Sequence, residues 1–239
     1  MQELYLNEYS PNVGRHMEML VFGHAGIPVI LFPTSMGKYY QNKDFKLLES
    51  AAWFINNGLI KIYCPDSVDN ESWYNYSVHP AERARRHMQY DAYLRHEVLP
   101  RALYETGHSR AIVAGCSFGG YHAVNFGMRY PGLTSHIFSM GGAFNIINRV
   151  LGHYDDTIYY NNPVDFIPNL TDDAIYRVGV VLGVGEHDFC IEDNYRLSAI
   201  LAAKGINHWL DIRPGASHDW PVWREMFPHY ISEAVKNTN

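Results

Sequence analysis

The sequence predicts an α/β fold, a mostly parallel central sheet with helices on both faces, and three observations predict it. Short apolar runs alternate along the chain with longer helix-compatible segments, the pattern of strands joined by crossover helices. Some runs are almost continuously apolar, as in Val178-Gly179-Val180-Val181-Leu182-Gly183-Val184, which suits strands buried on both faces. Gly58, Pro80 and Gly205 fall at boundaries between runs, where caps and breakers belong. No repeat, linker or low-complexity segment interrupts the 239 residues, so one domain spanning 1–239 is expected.

Taken in order, residues 17–22 and 29–32 read as strands separated by the turn His24-Ala25-Gly26. Residues 45–56 read as a helix stopped at Asn57-Gly58, with Gly58 as its C-terminal cap. Residues 59–64 form the next strand. His79-Pro80-Ala81-Glu82 opens a long helix, with Pro80 in the first turn, running toward Pro100 and on to Tyr104. Strands at 111–114 and 135–140 flank a helix that continues through 121–128. A strand at 177–185, a helix at 191–204 closed by Gly205, a strand at 208–212 and a C-terminal helix complete the series. Arg83, Arg85 and Arg86 cluster between Glu82 and Asp91 and read as a solvated helix face.

Composition narrows the function. The formal net charge of −6 argues against nucleic acid or an anionic membrane as partner. The three cysteines, Cys64, Cys116 and Cys190, have no spacing typical of a metal site or a disulfide framework. The thirteen histidines form no H-E-x-x-H or similar ligand pattern, so neither metal nor cofactor is expected. No basic region followed by an apolar stretch opens the chain, and no run approaches a transmembrane length. A cytoplasmic location follows as the expectation, with a homo-oligomer left open.

The most informative stretch is Ala111-Ile112-Val113-Ala114-Gly115-Cys116-Ser117-Phe118-Gly119-Gly120-Tyr121. It reads as a buried strand, then Gly-x-Ser-x-Gly, then the start of a helix. In this setting the motif is a nucleophile elbow, a turn sharp enough to hold the serine hydroxyl clear of the backbone. A bare G-x-S-x-G arises by chance in roughly one chain of this size in ten, so its setting and what lies downstream carry the weight. A triad of this topology runs Ser, then Asp or Glu, then His. The strand at 177–185 ends in Glu186-His187-Asp188, and either carboxylate could serve as the acid. His218 lies in the loop Arg213-Pro214-Gly215-Ala216-Ser217-His218-Asp219 between the last strand and the last helix, where the base belongs. His208 lies inside a strand and is set aside. Cys116 occupies an x position and is expected to face the core as a small hydrophobe.

On Gly115-Cys116-Ser117-Phe118-Gly119-Gly120, Gly185-Glu186-His187-Asp188 and Ser217-His218-Asp219-Trp220, the chain resembles the α/β-hydrolase superfamily. Within it the resemblance is to the bacterial esterase branch of S-formylglutathione hydrolases, feruloyl esterases and mycolyltransferases. It implies Ser117 as nucleophile, Asp188 as acid and His218 as base. The family's usual His-Gly after the third strand is replaced by Phe32-Pro33-Thr34-Ser35-Met36-Gly37.

A serine hydroxyl needs a base within hydrogen-bond reach to attack at neutral pH, and backbone N–H groups must receive the oxyanion that forms. The N–H of Phe118 is one expected donor and that of Ser35 the second, with Met36 next. Ligands in such sheets bind beyond the carboxyl ends of the strands. The loops there nominate Met36, Tyr39, Trp73, Tyr74 and Tyr160 as substrate-binding residues. The segment after the strand at 135–140 is too short for a large cap domain. The expected function is hydrolysis of small-molecule carboxylic esters with short acyl, aromatic or sugar-linked groups. An acyltransferase with the same triad and a non-catalytic binding protein are the alternatives.

Overall fold

The computed structural model describes residues 1–236. Its centre is an eight-stranded sheet: β1 (Glu3–Ser10), β2 (Arg15–Phe22), β3 (Ile27–Phe32), β4 (Ile60–Pro65), β5 (Ala111–Cys116), β6 (Thr134–Met140), β7 (Gly179–Gly185) and β8 (His208–Arg213). The spatial order is β1-β2-β4-β3-β5-β6-β7-β8. β2 is antiparallel to both β1 and β4, and all pairs from β4 to β8 are parallel. The larger helices are α1 (Pro80–Tyr93), α2 (Leu99–Thr106), α3 (Phe118–Arg129), α4 (Ile191–Ala203) and α5 (Trp220–Lys236).

The period-2 alternation of the strands divides the core. Ile30, Phe32, Val113 and Ile137 pack on one face with Tyr90, Leu99, Val124 and Leu197 from helices α1 to α4. Val29, Leu31, Ile112 and Ala114 point to the other face, against Leu48, Ile55, Met226 and Phe227. Successive strand residues face opposite sides, so both faces of a parallel sheet must be apolar, as the runs indicated.

Three elements differ from the sequence expectation. Strand β1 carries alternating polar residues and lies almost wholly exposed at the sheet edge, so no apolar run announced it. The expected helix at 45–56 breaks into short turns because Lys46 adopts a left-handed conformation with φ 62°. That break turns Phe45 outward to stack on Trp220 at 4.6 Å, while Leu47 and Leu48 enter the core. The long helix from Pro80 does reach Thr106, but through a π-helical turn at Leu94–Val98. Pro100 has no N–H to give, and the wider turn lies directly before it.

The arginine cluster is a further correction. Arg85 is exposed and pairs with Glu82 at 2.7 Å, but Arg83 is only 1% exposed. Its guanidinium donates to the carbonyls of Val78 and, at 2.6 Å, Arg149. Arg86 binds Glu71 and the Val13 carbonyl. This helix face is therefore a clamp on neighbouring loops.

Chain order and spatial order part company at β3. The chain leaves β3 for β4 on one side and returns to place β5 on the other. The carboxyl ends of β3 and β5 are consequently neighbours, with Phe32 beside Gly115, and the loops leaving them diverge. Such a switch point opens a crevice.

Candidate active site

Strand β5 ends at Cys116, and Ser117 begins α3 with φ 55° and ψ −124°. A non-glycine residue in that region is strained, and the surroundings hold it there. The Ser117 N–H donates to the Met140 carbonyl at 2.8 Å, and the Ser117 carbonyl accepts from Gly120 N–H at 2.9 Å. A side chain at Gly115 would run into the backbone of Gly119, and one at Gly119 would meet the carbonyls of Phe32 and Pro33. Both glycines of the motif are thus places where backbone passes backbone.

Asp188 follows β7 and is buried, with Oδ1 accepting the Cys190 N–H at 2.7 Å. Its oxygens lie 2.8 and 2.9 Å from His218 Nδ1, and His218 Nε2 lies 2.9 Å from Ser117 Oγ. A hydroxyl, an imidazole and a carboxylate thus form one continuous hydrogen-bonded chain. The His218 loop is clipped to the end of β7. Glu186 accepts the Gly215 N–H at 2.7 Å, and His187 N–H donates to the Ala216 carbonyl at 2.8 Å. Glu186 therefore holds the loop and does not approach His218. Asp219 accepts the N–H of Trp220. His208 is bound to Ser198 and the Ile206 carbonyl.

The cysteines stay outside this chemistry. Cys116 is buried in the core, and burial pushes its thiol well above the ordinary value. Cys190 lies beside the Asp188–His218 pair. Burial, reinforced by the charges of Asp188 and Asp193, pushes its thiol up to about 12, so it remains protonated.

Opposite the elbow runs the loop after β3. Among the described residues the N–H groups of Ser35, Phe118 and Gly119 have no protein acceptor. That of Met36 donates to Asp69 Oδ2 at 3.1 Å, so Met36 is spent and drops out as an oxyanion donor. Met36 itself is left-handed, with φ 55°. Asp69 is fully buried, and its Oδ1 lies 2.8 Å from His122 Nε2 on α3. Asp66 receives the N–H of Tyr39 at 3.2 Å and the Lys38 ammonium at 3.1 Å. Ser67 donates to the Gly37 carbonyl at 2.8 Å. The loop after β4 thus acts as a mould for the loop after β3. Nothing in the primary sequence singles out Asp66 or Asp69, because their partners lie about thirty residues away.

The nominated substrate-binding residues separate. Tyr74 donates from its hydroxyl to Ser35 Oγ at 2.7 Å and packs edge-on against Phe118 at 5.2 Å. Burial raises its phenol, so it stays a donor. Met36 is exposed. Trp73 is corrected: it is 0% exposed and forms the centre of a small core with Phe118, Tyr121, Ile146 and Ile158. Tyr39 is corrected too, since its ring turns to Tyr5 of β1 at 5.7 Å. Tyr160 lines a separate surface depression with Met88, Arg129 and Thr157. One residue was missed: Phe189 is 78% exposed with its ring 4.1 Å from that of His218. Its place directly after Asp188 was the available signal. Beyond β6 the chain forms only short helical turns such as Ile147–Arg149 and Asp156–Tyr159, and no helical cap covers Ser117 among the described residues.

Among solved structures the chain is similar to a ferulic acid esterase, with 16% identity, 98% of this chain and 97% of the other covered, and a TM-score of 0.78. It is similar to S-formylglutathione hydrolase from Staphylococcus aureus at 18% identity, 98% and 96% coverage and a TM-score of 0.72. MPT51 of Mycobacterium tuberculosis matches at 14% identity, 99% and 98% coverage and a TM-score of 0.74. These likenesses show the α/β-hydrolase fold. No curated protein matches at the level of sequence. The family model described as "Putative esterase" matches residues 14–233. The chain belongs to this esterase family and is a carboxylic ester hydrolase of the α/β-hydrolase fold.

Proposed function

We propose that the protein hydrolyses short-chain or aromatic carboxylic esters through an acyl-enzyme on Ser117. The observation that carries this reading is the continuous chain from Ser117 Oγ through His218 to Asp188, with the serine in a strained elbow. Ser117 Oγ attacks the ester carbonyl carbon while His218 Nε2 takes its proton. Asp188 keeps the imidazole in the Nδ1–H tautomer and stabilises the imidazolium, without itself being protonated. The carbonyl oxygen, now an oxyanion, is received by the N–H groups of Phe118 and Ser35, aimed where charge develops. Collapse breaks the C–O bond, and the leaving alcohol takes the proton from His218. Water then repeats the sequence on the acyl-enzyme and releases the acid.

The absence of a helical cap above Ser117 among the described residues supports small substrates, as does the exposed Phe189 ring 4.1 Å from that of His218. Each methylene without an apolar wall forgoes about 0.8 kcal/mol of binding. On p-nitrophenyl esters of two to sixteen carbons, assayed below micelle formation, kcat/KM is expected to peak at acetyl to butyryl and fall with length. A maximum at ten carbons or longer would overturn the short-ester assignment. A cytoplasmic location is supported by three buried free thiols, which suit a reducing compartment. No helix among the described residues is long and apolar enough to cross a membrane.

A further inference from the structure

Arg149 is one of several arginines without an acidic partner, and it is the one that stacks on Phe118, the residue after Ser117. Arg15, Arg85, Arg86, Arg101, Arg129 and Arg213 each reach a carboxylate. Arg149 is half-buried, and no carboxylate among the described residues lies within ion-pair distance of it. Its guanidinium lies 4.0 Å from the centre of the Tyr74 ring and 4.8 Å from that of Phe118. Nη2 donates to the Tyr74 hydroxyl at 2.8 Å, and Nη1 makes only a long 3.4 Å contact to the Tyr76 hydroxyl. Its remaining N–H groups have no acceptor among the described residues. The segment bearing it is not loose. Arg83, buried and without an acid at ion-pair distance among the described residues, donates to the Arg149 carbonyl and stacks on Tyr76 at 4.7 Å. Arg83 and Arg149 are thus joined through the Arg149 carbonyl, and among the described residues neither guanidinium has a carboxylate at ion-pair distance.

Their position gives this meaning. The Tyr74 hydroxyl that accepts from Arg149 is the one that donates to Ser35 Oγ, and Phe118 directly follows Ser117. The charge sits one hydroxyl away from the two residues proposed to hold the substrate carbonyl oxygen. A flat, stacked guanidinium with free N–H groups matches the two oxygens of a carboxylate. We infer that Arg149 forms an anion subsite, and that the preferred substrates are esters bearing a carboxylate a few bonds from the scissile carbonyl. The inference rests on the proposed roles of Ser117, Phe118 and Ser35.

Two matched pairs test it: monophenyl succinate against phenyl butyrate, with the charge on the acyl side, and 4-acetoxybenzoate against its methyl ester, with the charge on the leaving group. In at least one pair the anionic ester is expected to exceed its neutral twin in kcat/KM by roughly ten- to a hundredfold, the range of a charge-assisted hydrogen bond. That ratio should fall toward one in Arg149→Leu, be partly kept in Arg149→Lys, and shrink with added salt. Ratios at or below one in both pairs, or a ratio that Arg149→Leu leaves intact while both esters slow equally, would show that Arg149 only supports Tyr74. Failure of the hydrolase reading looks different: no ester of either kind would turn over, and a fluorophosphonate would not label Ser117. The subsite is then read by calorimetry on Ser117→Ala, where monophenyl succinate should bind about tenfold more tightly than to Ser117→Ala/Arg149→Leu. Equal binding rejects it.

Discussion

The two walls of the candidate active site are held in place by different physics. The elbow at Ser117 is held by what is missing: Gly115 and Gly119 let strand, helix and the loop after β3 pass within backbone contact. The facing loop at residues 33–41 is held by what is present, buried carboxylates of Asp66 and Asp69 that accept its N–H groups. Steric constraint of the first kind is local in sequence and leaves a motif. Polar constraint of the second kind is long-range and leaves none. The elbow should therefore fail abruptly when altered, and the facing loop by degrees.

The largest effect expected is at Ser117 itself. Ser117→Ala should lower turnover of p-nitrophenyl butyrate on the order of a million-fold with unchanged thermal stability, measured with enzyme free of wild-type carry-over. A variant that kept a tenth of the activity would remove the serine from the chemistry.

Next comes the contrast between neighbouring carboxylates. Asp188→Asn should cost about four orders of magnitude in kcat, because the amide favours the wrong imidazole tautomer. Glu186 only clips Gly215, so Glu186→Gln should cost less than about tenfold. The reverse ranking would transfer the acid role to Glu186.

The loop wall is probed by Asp69→Asn, which weakens the acceptor for Met36 N–H and the partner of His122. Losing an oxyanion donor outright costs roughly a hundred- to a thousandfold. A loosened one should cost less, about ten- to a hundredfold in kcat with little change in KM. A rise in KM alone would assign Asp69 to substrate binding and not to positioning.

A last test reads stability and not turnover, where the two walls touch. In Gly119→Ala the new methyl meets the carbonyls of Phe32 and Pro33, which are backbone and cannot rotate away. Overpacking of this kind costs about 1–3 kcal/mol, read as a lower melting temperature. A neutral result would show that the loop yields, and that the elbow and its facing wall are less tightly coupled than their contacts indicate.

The sequence alone determined whatever depended on local order. The apolar runs located the central strands such as β3, β5 and β7 because strands buried on both faces carry little polar alternation to confuse them. The motif around Ser117 and the chain order Ser117, Asp188, His218 named the residues that the fold brings into one hydrogen-bonded chain. Phe118 and Ser35, nominated from their places after β5 and β3, have N–H groups without a protein acceptor among the described residues. Only the tertiary structure decided the rest. Strand β1 is an exposed edge, without an apolar signature. Trp73 and Tyr39 read as pocket aromatics but serve as packing, because an aromatic side chain in a loop fits a small core or a cleft equally well. Asp66, Asp69 and Arg149 act through partners brought near by the reversal of strand order at β3 and by the folding of separate loops over one sheet edge. Whether a charged group ends up paired, buried or free is a property of three-dimensional neighbours, and no spacing along the chain encodes it.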